Sequence, residues 1–308
     1  MNLNEEVRSG YTVSAEMKKV WKVQMDLLKK LLEVCDKHHL KIWAEGGTLL
    51  GTVREQGYIP WDDDIDMAML RDDYDKLVRI APEEFEPPYF FQCGYTEKIY
   101  PRGHAQLRMD GTSAISPASA YLNTHQGIFI DIFPFDAMPD DADERERLIQ
   151  ARNKQFNLLQ YISSPDILHP FRTLKTMRLR PRFHEVFGHF ENLFRKYSLE
   201  DCQNVACLTY TDDLEHFLRD KSWYDGTVYM PFEDIMMPVP SGYDQILTKQ
   251  YGDYRTPVQA PTTHGGFWKL DTDHSYLEYK QELKSYCRKQ DIRRKWRRIV
   301  KVFRRFVH

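Results

Sequence analysis

The sequence contains no long hydrophobic run, and this absence bounds the class of protein that it encodes. No apolar stretch approaches the roughly 18 residues that a membrane-spanning helix needs. The N-terminal segment lacks the apolar core of a secretory signal peptide. The five cysteines are scattered and odd in number, so a secreted disulfide framework is not expected. These absences predict a protein that is made and kept in the cytoplasm, with free thiols.

Low-complexity tracts and internal repeats are also missing. With 42% hydrophobic and 29% charged residues, the 308-residue chain has the balance of an ordinary globular protein. This composition argues against disorder over most of the chain. The length suits one large domain, or one catalytic domain with a substantial insertion.

Charge is unevenly distributed along the chain. The net charge is −3, yet the segment 288–308 holds ten basic residues and one acid. Apolar and basic residues of this segment fall on opposite helical faces, and they include Trp296, Arg297, Arg298, Phe303 and Phe306. Such a pattern is typical of a helix that lies in an anionic membrane interface. Binding to RNA and docking on another protein are the alternatives.

Hydrophobic periodicity predicts a mixture of helices and strands. Helices are predicted at 17–35, 49–56, 72–80 and 244–250, and strands at 41–45, 65–70, 89–92, 105–109 and 127–133. The stretch 140–220 is mostly helical in pattern. The fold class that follows is α/β, in the α+β sense of a mixed sheet core with a helical insertion.

A double glycine stands between the first predicted strand and the second predicted helix. Gly46 and Gly47 would let a phosphate approach the backbone closely, and Thr48 opens the helix. The free N–H groups at that helix N-terminus would face the anion. We therefore predict a nucleotide- or phosphate-binding turn at Gly46, Gly47 and Thr48, although a double glycine alone is usually just a turn.

Three aspartates are candidates for catalysis and metal binding. Asp64 and Asp66 are two residues apart on a predicted strand, so their carboxylates share one face. Asp131 lies in an apolar strand, where an unpaired charge would be costly; metal ligation and a salt bridge are the two remedies. Three carboxylates form an oxygen cage suited to Mg²⁺ or Mn²⁺. A calcium loop is rejected, because Met67 and Asp73 stand where its glycine and glutamate belong.

Two segments closely resemble the LicD family, which includes bacterial phosphocholine transferases and is related to fukutin-type ribitol-phosphate transferases: WAEGGTLLGTVR at 43–54 and GYIPWDDDID at 57–66. The resemblance continues at 71–74, 127–135, 232–233 and 251–254. It implies a nucleotidyltransferase-like fold and a divalent metal held by Asp64, Asp66 and Asp131. Asp62 falls on the preceding acid of the motif, as a supporting residue.

The resemblance also implies a reaction and its partners. Phosphocholine, or a related phospho-alcohol, would pass from CDP-choline or another CDP-alcohol to a hydroxyl of a cell-surface glycan or its lipid-linked precursor. We expect the enzyme at the inner face of the cell membrane, bound to the anionic surface, and we do not expect nucleic acid as a partner. The alternatives are a nucleotidyltransferase acting on RNA or protein, and a membrane-anchored pseudoenzyme.

Several further residues are candidates for the site. Arg108 is predicted to contact a phosphate, with a surface ion pair as the alternative, and Arg54 to support the segment 62–66. A choline group would want an aromatic cage. Sequence alone does not choose among the aromatic candidates, which are Trp61, Tyr243, Tyr251, Tyr254 and Trp268.

The chain is expected to divide into four parts. A nucleotidyltransferase-like catalytic core would occupy 1–139, and a helical insertion or subdomain would occupy 140–225. The C-terminal part of the catalytic domain would follow at 226–287. A basic, amphipathic membrane-surface helix would end the chain at 288–308.

Overall fold

The computed structural model describes residues 1–164, 173–209, 217–259 and 267–306, without the side chains of Ala118, Asp291, Ile292 and 294–306. The strands are β1 (Glu6–Arg8), β2 (Tyr11–Val13), β3 (Trp43–Ala44), β4 (Asp66–Leu70), β5 (Tyr89–Gln92), β6 (Ala105–Met109), β7 (Ser113–Ile115), β8 (Phe129–Met138), β9 (Asn204–Ala206), β10 (Leu218–Asp220), β11 (Thr227–Phe232), β12 (Ile235–Pro240) and β13 (Lys269–Asp271). The α-helices are α1 (Ala15–Lys37), α2 (Gly46–Arg54), α3 (Arg71–Glu84), α4 (Ala142–Ser163), α5 (Leu174–Leu179), α6 (Phe183–Asn192), α7 (Tyr243–Tyr251) and α8 (Tyr276–Phe306).

Strand β8 is the centre of a seven-stranded mixed sheet. It pairs in parallel with β4 along one edge, and β4 pairs in turn with β3. Along the other edge its first half pairs with β6 and its last residues pair with β9. All ten residues of β8 are buried, as expected of a strand covered on both faces. The mixed sheet and its helices confirm the predicted fold class.

Helix α1 packs its apolar stripe against this sheet. Ser14 caps the helix by accepting a hydrogen bond from the Met17 N–H. Trp21, Leu28 and Leu31 are completely buried in the main core. The i, i+3, i+4 spacing that predicted the helix is thus the spacing of its buried face.

A second core lies between the helices of the stretch 140–225. Phe183, Phe187 and Phe190 of α6 pack with Leu148 and Leu159 of α4. Strands β9 and β10 also come from this stretch, and they extend the main sheet beyond β8. The predominantly helical pattern did not indicate these two strands. Our division of the chain at 140 and 225 therefore remains a proposal.

The C-terminal helix α8 is joined to the body through its first half. Leu283 and Cys287 are buried against Ile115 and Ala120. The side chains of the predicted membrane residues Trp296, Arg297, Arg298, Phe303 and Phe306 lie outside the described residues. Within the described part of the chain, no helix is long and apolar enough to cross a membrane.

A buried ion pair fastens α3 to the centre of the sheet. The Arg71 guanidinium donates through Nε to Asp136 Oδ1 at 2.5 Å and through Nη2 to Asp136 Oδ2 at 3.0 Å. Glu191 of α6 also approaches, 3.5 Å from Arg71 Nη1. Both Arg71 and Asp136 are buried, so neither charge has water as an alternative partner.

Arg71→Met is therefore expected to lower the free energy of unfolding by about 3–5 kcal/mol, because two buried carboxylates lose their cation. Urea denaturation measures the change. The control is Lys22→Met, which removes an exposed pair with Asp26 and should cost below about 1 kcal/mol. Equal small losses in both variants would contradict the importance of the buried pair.

Candidate active site

The glycine turn and the aspartate strand lie directly against each other. Gly46 has a φ of +53°, and a Cβ there would lie 3.3 Å from Asp66 Oδ2. A Cβ on Gly47 would lie 2.5 Å from Asp62 Oδ2. The two glycines thus allow the backbone at the start of α2 to approach the carboxylates, and the same absence of side chains leaves its N-terminus accessible.

Thr48 joins the same two segments. Its hydroxyl accepts a hydrogen bond from the Asp66 backbone N–H at 2.9 Å. Thr48 is not among the described residues that line the cavity introduced below. The Glu45 N–H donates to the Asp66 carbonyl at 3.0 Å. Thr48 was predicted to bind nucleotide or phosphate; in this structure it holds the start of β4 beside the turn.

Pairing of β4 with β8 brings the third aspartate into place. Asp66 stands opposite Asp131 in the parallel register. Oxygen atoms of Asp64, Asp66 and Asp131 all lie within 4.8 Å of one another, and a second such group joins Asp62, Asp63 and Asp64. The structure therefore brings together the three acids that the sequence singled out, with Asp62 beside them.

Burial and mutual repulsion set the electrostatics of this cluster. Burial raises the pKa of Asp66 well above its usual range, and the charges of Asp64, Asp131 and Asp62 raise it further. Burial also acts to raise the pKa of Asp131, but the hydrogen bond and charge of His104, the charge of Arg102 and the hydrogen bond from Gln106 together outweigh it. The net shift of the Asp131 pKa is therefore downward. A divalent cation would relieve this repulsion, and an all-carboxylate donor set suits Mg²⁺ or Mn²⁺.

A cavity of about 700 Å³ opens beside the cluster. Its wall includes Gly46, Gly47, Asp62, Asp64 and Asp66. Across the described residues, its acidic lining also contains Glu45 and Asp253, against a single basic residue, Arg54. This negative charge would repel the diphosphate of a nucleotide, so a nucleotide would need bound cations in order to occupy the cavity.

Arg54 and three of the aromatic candidates also reach the cavity. Arg54 donates to the Tyr254 carbonyl at 3.2 Å and to Glu55 at 2.8 Å, which fixes its guanidinium at the wall. Trp61, Tyr251 and Tyr254 line the cavity, whereas Tyr243 and Trp268 are not among its lining residues.

Arg108 occupies a different place from the one predicted. It is buried, does not line the cavity, and donates to Gln92, Gln106 and the Gly127 carbonyl. Burial lowers the pKa of its guanidinium to about 10, which leaves it charged at neutral pH. Its donors are engaged within the protein rather than at a surface ion pair or a phosphate site.

Comparisons with known proteins match a large part of this sequence to one family. Residues 39–183 match the family described as LicD/FKTN/FKRP, nucleotidyltransferase domain. The chain is thus similar to the LicD family over this segment. It is 25% identical over 237 residues to the lipopolysaccharide cholinephosphotransferase LicD of Haemophilus influenzae, a match that covers 75% of this chain and 88% of that protein.

Shorter matches connect it to two uncharacterised proteins of Rickettsia. The protein from Rickettsia prowazekii is 44% identical over 70 residues, which is 23% of this chain and 24% of that protein. The protein from Rickettsia typhi is 42% identical over 77 residues, 24% of this chain and 23% of that protein.

Helix α1 precedes the segment that matches the LicD family, yet it holds the aspartate loop. Trp21 Nε1 donates to the Asp62 carbonyl at 3.2 Å, and Gln24 Nε2 donates to the Asp63 carbonyl at 2.7 Å. Tyr58 stacks on Trp21 with ring centroids 4.3 Å apart. The amphipathic pattern predicted a packed helix, but no sequence signal indicated that two of its buried side chains support the loop.

Sequence reasoning also missed His104 and Gln106, both of which contact Asp131. Gln106 Nε2 donates to Asp131 Oδ1 at 2.7 Å, and His104 Nε2 lies 3.1 Å from the same oxygen. Gln106 and Arg108 are polar residues two positions apart in an apolar strand. That alternation was the available signal for a buried polar network.

Gly47→Ala tests the close approach of the turn to Asp62. The new methyl group must displace the end of one flexible side chain, so the melting temperature should change by no more than a few degrees. The affinity for Mn²⁺ should fall about tenfold or more, because Asp62 is pushed out of position. Isothermal titration calorimetry measures the affinity.

Gly188→Ala is the matched control for this substitution. It lies in α6, where a Cβ would be 3.9 Å from the Tyr95 hydroxyl, an ordinary contact. Alanine should therefore leave Mn²⁺ binding unchanged and stabilise the helix by up to about 1 kcal/mol. Unchanged Mn²⁺ affinity in Gly47→Ala would show that Asp62 has no part in the metal site.

Proposed function

We propose that this chain transfers phosphocholine, or a related phospho-alcohol, from a CDP-linked donor to a hydroxyl of a cell-surface glycan or its lipid-linked precursor. The match of residues 39–183 to the LicD family supports phosphotransferase chemistry. The relative from Haemophilus influenzae is named as a cholinephosphotransferase of lipopolysaccharide, which suggests the class of donor group and acceptor.

The observation that carries the proposal is the acidic cluster on the wall of the cavity. Asp64 and Asp66 face a space large enough for a nucleotide-linked substrate, with Asp131 buried beside them. So much negative charge would repel a diphosphate unless divalent cations lay between them. Asp64, Asp66 and Asp131 would hold Mg²⁺ or Mn²⁺, with Asp62 as a supporting ligand.

The chain's own residues would orient the donor. Gly46 and Gly47 let the diphosphate approach the backbone, where the N–H groups at the start of α2 can donate to its oxygens. Arg54 at the wall offers a further donor for a phosphate oxygen. When bound, the cations would stabilise charge on the phosphoryl oxygens and lower the pKa of the acceptor hydroxyl.

The proposed reaction is a single displacement at the phosphorus atom that carries the alcohol. The acceptor hydroxyl loses its proton to one of the aspartates, and its oxygen attacks the phosphorus that carries the alcohol. A new phosphodiester forms while the bond to the bridging oxygen breaks, and CMP leaves with that oxygen. The aromatic wall of Trp61, Tyr251 and Tyr254, together with Asp253, suits a quaternary ammonium such as choline.

A doubly labelled donor tests this reaction. With CDP-choline labelled separately in the choline and the cytidine, the choline label should enter the glycan product and the cytidine label should leave as CMP. Asp64→Asn and Asp66→Asn should each lower kcat at saturating metal by more than tenfold, because a ligand of the metal site is lost. The exposed substitution Asp36→Asn is the control and should have no effect.

Two outcomes would contradict the proposal. Cytidine label in an RNA or protein product would show nucleotidyl transfer, the alternative reaction for this fold. Activity above a tenth of the wild-type value in either variant would remove the aspartates from catalysis.

We further propose that the basic end of the chain attaches the enzyme to an anionic membrane surface at the inner face of the cell membrane. The segment 288–308 carries a net charge of +9, counted with histidine neutral, against −12 for the rest of the chain. Each basic residue near an anionic leaflet contributes about 1 kcal/mol within a Debye length. Residues Trp296, Phe303 and Phe306 would add apolar burial.

Truncation after Gln290 tests this attachment. Leu283 and Cys287 remain in place, so the body should keep its stability and its metal-dependent CMP release with a short soluble acceptor. Co-sedimentation with phosphatidylglycerol vesicles at low salt should fall on truncation, and also when salt is raised for the full chain. A full-length protein that ignores these vesicles but retards RNA in a gel would contradict membrane attachment and favour RNA.

A further inference from the structure

Arg108 is a buried cation whose described hydrogen-bond partners are neutral. Its guanidinium donates to Gln92 Oε1 at 2.5 Å, to the Gly127 carbonyl at 2.6 Å and to Gln106 Oε1 at 2.5 Å. It also lies over the Phe129 ring, 4.6 Å from the centroid. Burying a charge is expensive, and these acceptors satisfy its N–H groups without neutralising it.

The position of Arg108 fixes the orientation of the Gln106 amide. A guanidinium donates hydrogen bonds and never accepts them, so the amide oxygen must face Arg108. The Tyr100 hydroxyl donates to the same oxygen at 2.7 Å. With Oε1 held in this way, Nε2 points to Asp131 Oδ1, 2.7 Å away. Gln106 is completely buried, so water does not compete for either end of the amide.

Both contacts to Asp131 reach one oxygen of the carboxylate. His104 Nε2 lies 3.1 Å from Oδ1, the atom that also accepts from Gln106. The strand register places Gln106 opposite Asp131, and Asp66 lies opposite Asp131 on its other side. Oδ1 is therefore held from the β6 side, and rotation of the carboxylate is restricted relative to Asp64 and Asp66.

We propose that Arg108 and Gln106 are positioning residues for the metal site: buried Arg108 fixes the polarity of the Gln106 amide, which in turn fixes the Asp131 carboxylate for a divalent cation. This inference rests on the proposed metal-dependent function. It also accounts for the buried charge of Arg108, which acts on the Asp131 carboxylate through the Gln106 amide. Outer partners of this kind change metal affinity about 10- to 100-fold when they are removed.

The choice of Arg108 variants follows from the donor and acceptor rules. In Arg108→Met the Tyr100 hydroxyl can either donate to the amide or accept from it, so the amide is free to turn. In Arg108→Lys a donor without acceptor capacity remains, and the amide polarity is kept. Arg108→Met should therefore weaken Mn²⁺ binding about tenfold or more, whereas Arg108→Lys should stay within about threefold of the wild type.

Arg152→Met is the matched control for loss of a buried arginine. Arg152 is as deeply buried as Arg108, donates to the carbonyls of Leu208 and Thr209 at 2.9 Å, and lies over the Phe156 ring. It belongs to α4 and does not contact Asp131. Its replacement should lower stability but leave the Mn²⁺ dissociation constant unchanged.

The experiment measures Mn²⁺ binding to each full-length variant by the electron paramagnetic resonance signal of free Mn²⁺, with the metal-free melting temperature recorded in parallel. If Arg108→Met does not fold, Gln106→Met/Arg108→Met replaces both partners by apolar side chains of similar length, which costs less than leaving one unpaired. The double variant should also bind Mn²⁺ about tenfold or more weakly than the wild type, because it removes the hydrogen bond from Gln106 to Asp131.

The outcomes separate this inference from the proposed function. Wild-type affinity in Arg108→Met, or in the double variant where that is the folded one, would overturn the positioning role. An equal loss in Arg152→Met would also overturn it, because the effect would then follow from general destabilisation. Wild-type protein that binds Mn²⁺ but releases no CMP from CDP-alcohols would instead contradict the proposed function, and protein that binds no Mn²⁺ would contradict both.

Discussion

Repulsion between carboxylates packed into one place is the constraint on which the rest of this structure depends. Asp64, Asp66 and Asp131 lie within a few ångströms of one another, and burial makes each charge more costly. The chain does not separate these acids. It fixes them from several directions: through the glycine turn, through Thr48, through the register of β4 with β8, and through Gln106.

Another buried carboxylate beside the site, that of Glu45, is neutralised by a cationic side chain. Glu45 precedes the glycine turn and also lines the cavity, but it is paired with Arg219 from β10, which also donates to Gln250 and the Tyr224 hydroxyl. Burial acts to lower the pKa of Arg219, and the Glu45 charge reverses that effect, so the net shift is upward. Among the described residues, Arg219 neutralises Glu45, whereas no cationic side chain forms an ion pair with Asp66. This is the contrast expected between a structural acid and a candidate metal ligand.

Residues outside the segment 39–183, which matches the LicD family, also hold the acidic residues of the site in place. Helix α1 supports the aspartate loop through Trp21 and Gln24, and β10 supplies Arg219. Arg8 of the N-terminal hairpin pairs with Glu233, whose carboxylate also accepts from the Tyr58 N–H. Precise placement of catalytic groups needs such rigid surroundings, because a displacement of about 1 Å can cost about 100-fold in rate.

Local patterns were sufficient to predict the elements that build the centre of the fold. Helix α1, strands β5 and β6, and the aspartate strand β4 follow directly from periodicity. Strands β9 and β10 have three residues each and lie in a stretch dominated by helical patterns, so their pairing with β8 is set by tertiary contacts. Short strands carry too few residues for alternation to be visible.

The candidate site shows the same division between local and non-local information. Spacing predicted Asp64 and Asp66 on one strand, but β4 begins at Asp66 and Asp64 lies in the loop before it. Apolar neighbours marked Asp131 as unusual. The role of Gln106 depends on a register between β6 and β8 that no local pattern specifies. Arg108 shows the same limit: the sequence suggests a phosphate contact, whereas in the structure its guanidinium donates to Gln92, Gln106 and the Gly127 carbonyl.

In the proposed reaction, Asp64, Asp66 and Asp131 hold a divalent cation against the diphosphate of a CDP-linked donor. Diffraction from crystals grown with Mn²⁺ and a non-hydrolysable CDP-choline analogue, recorded at the manganese absorption edge, tests it most directly. We expect an anomalous peak within about 2.0–2.4 Å of oxygens from these three aspartates, with the diphosphate in the same cavity. A nucleotide bound in the cavity with no manganese on these aspartates would contradict it.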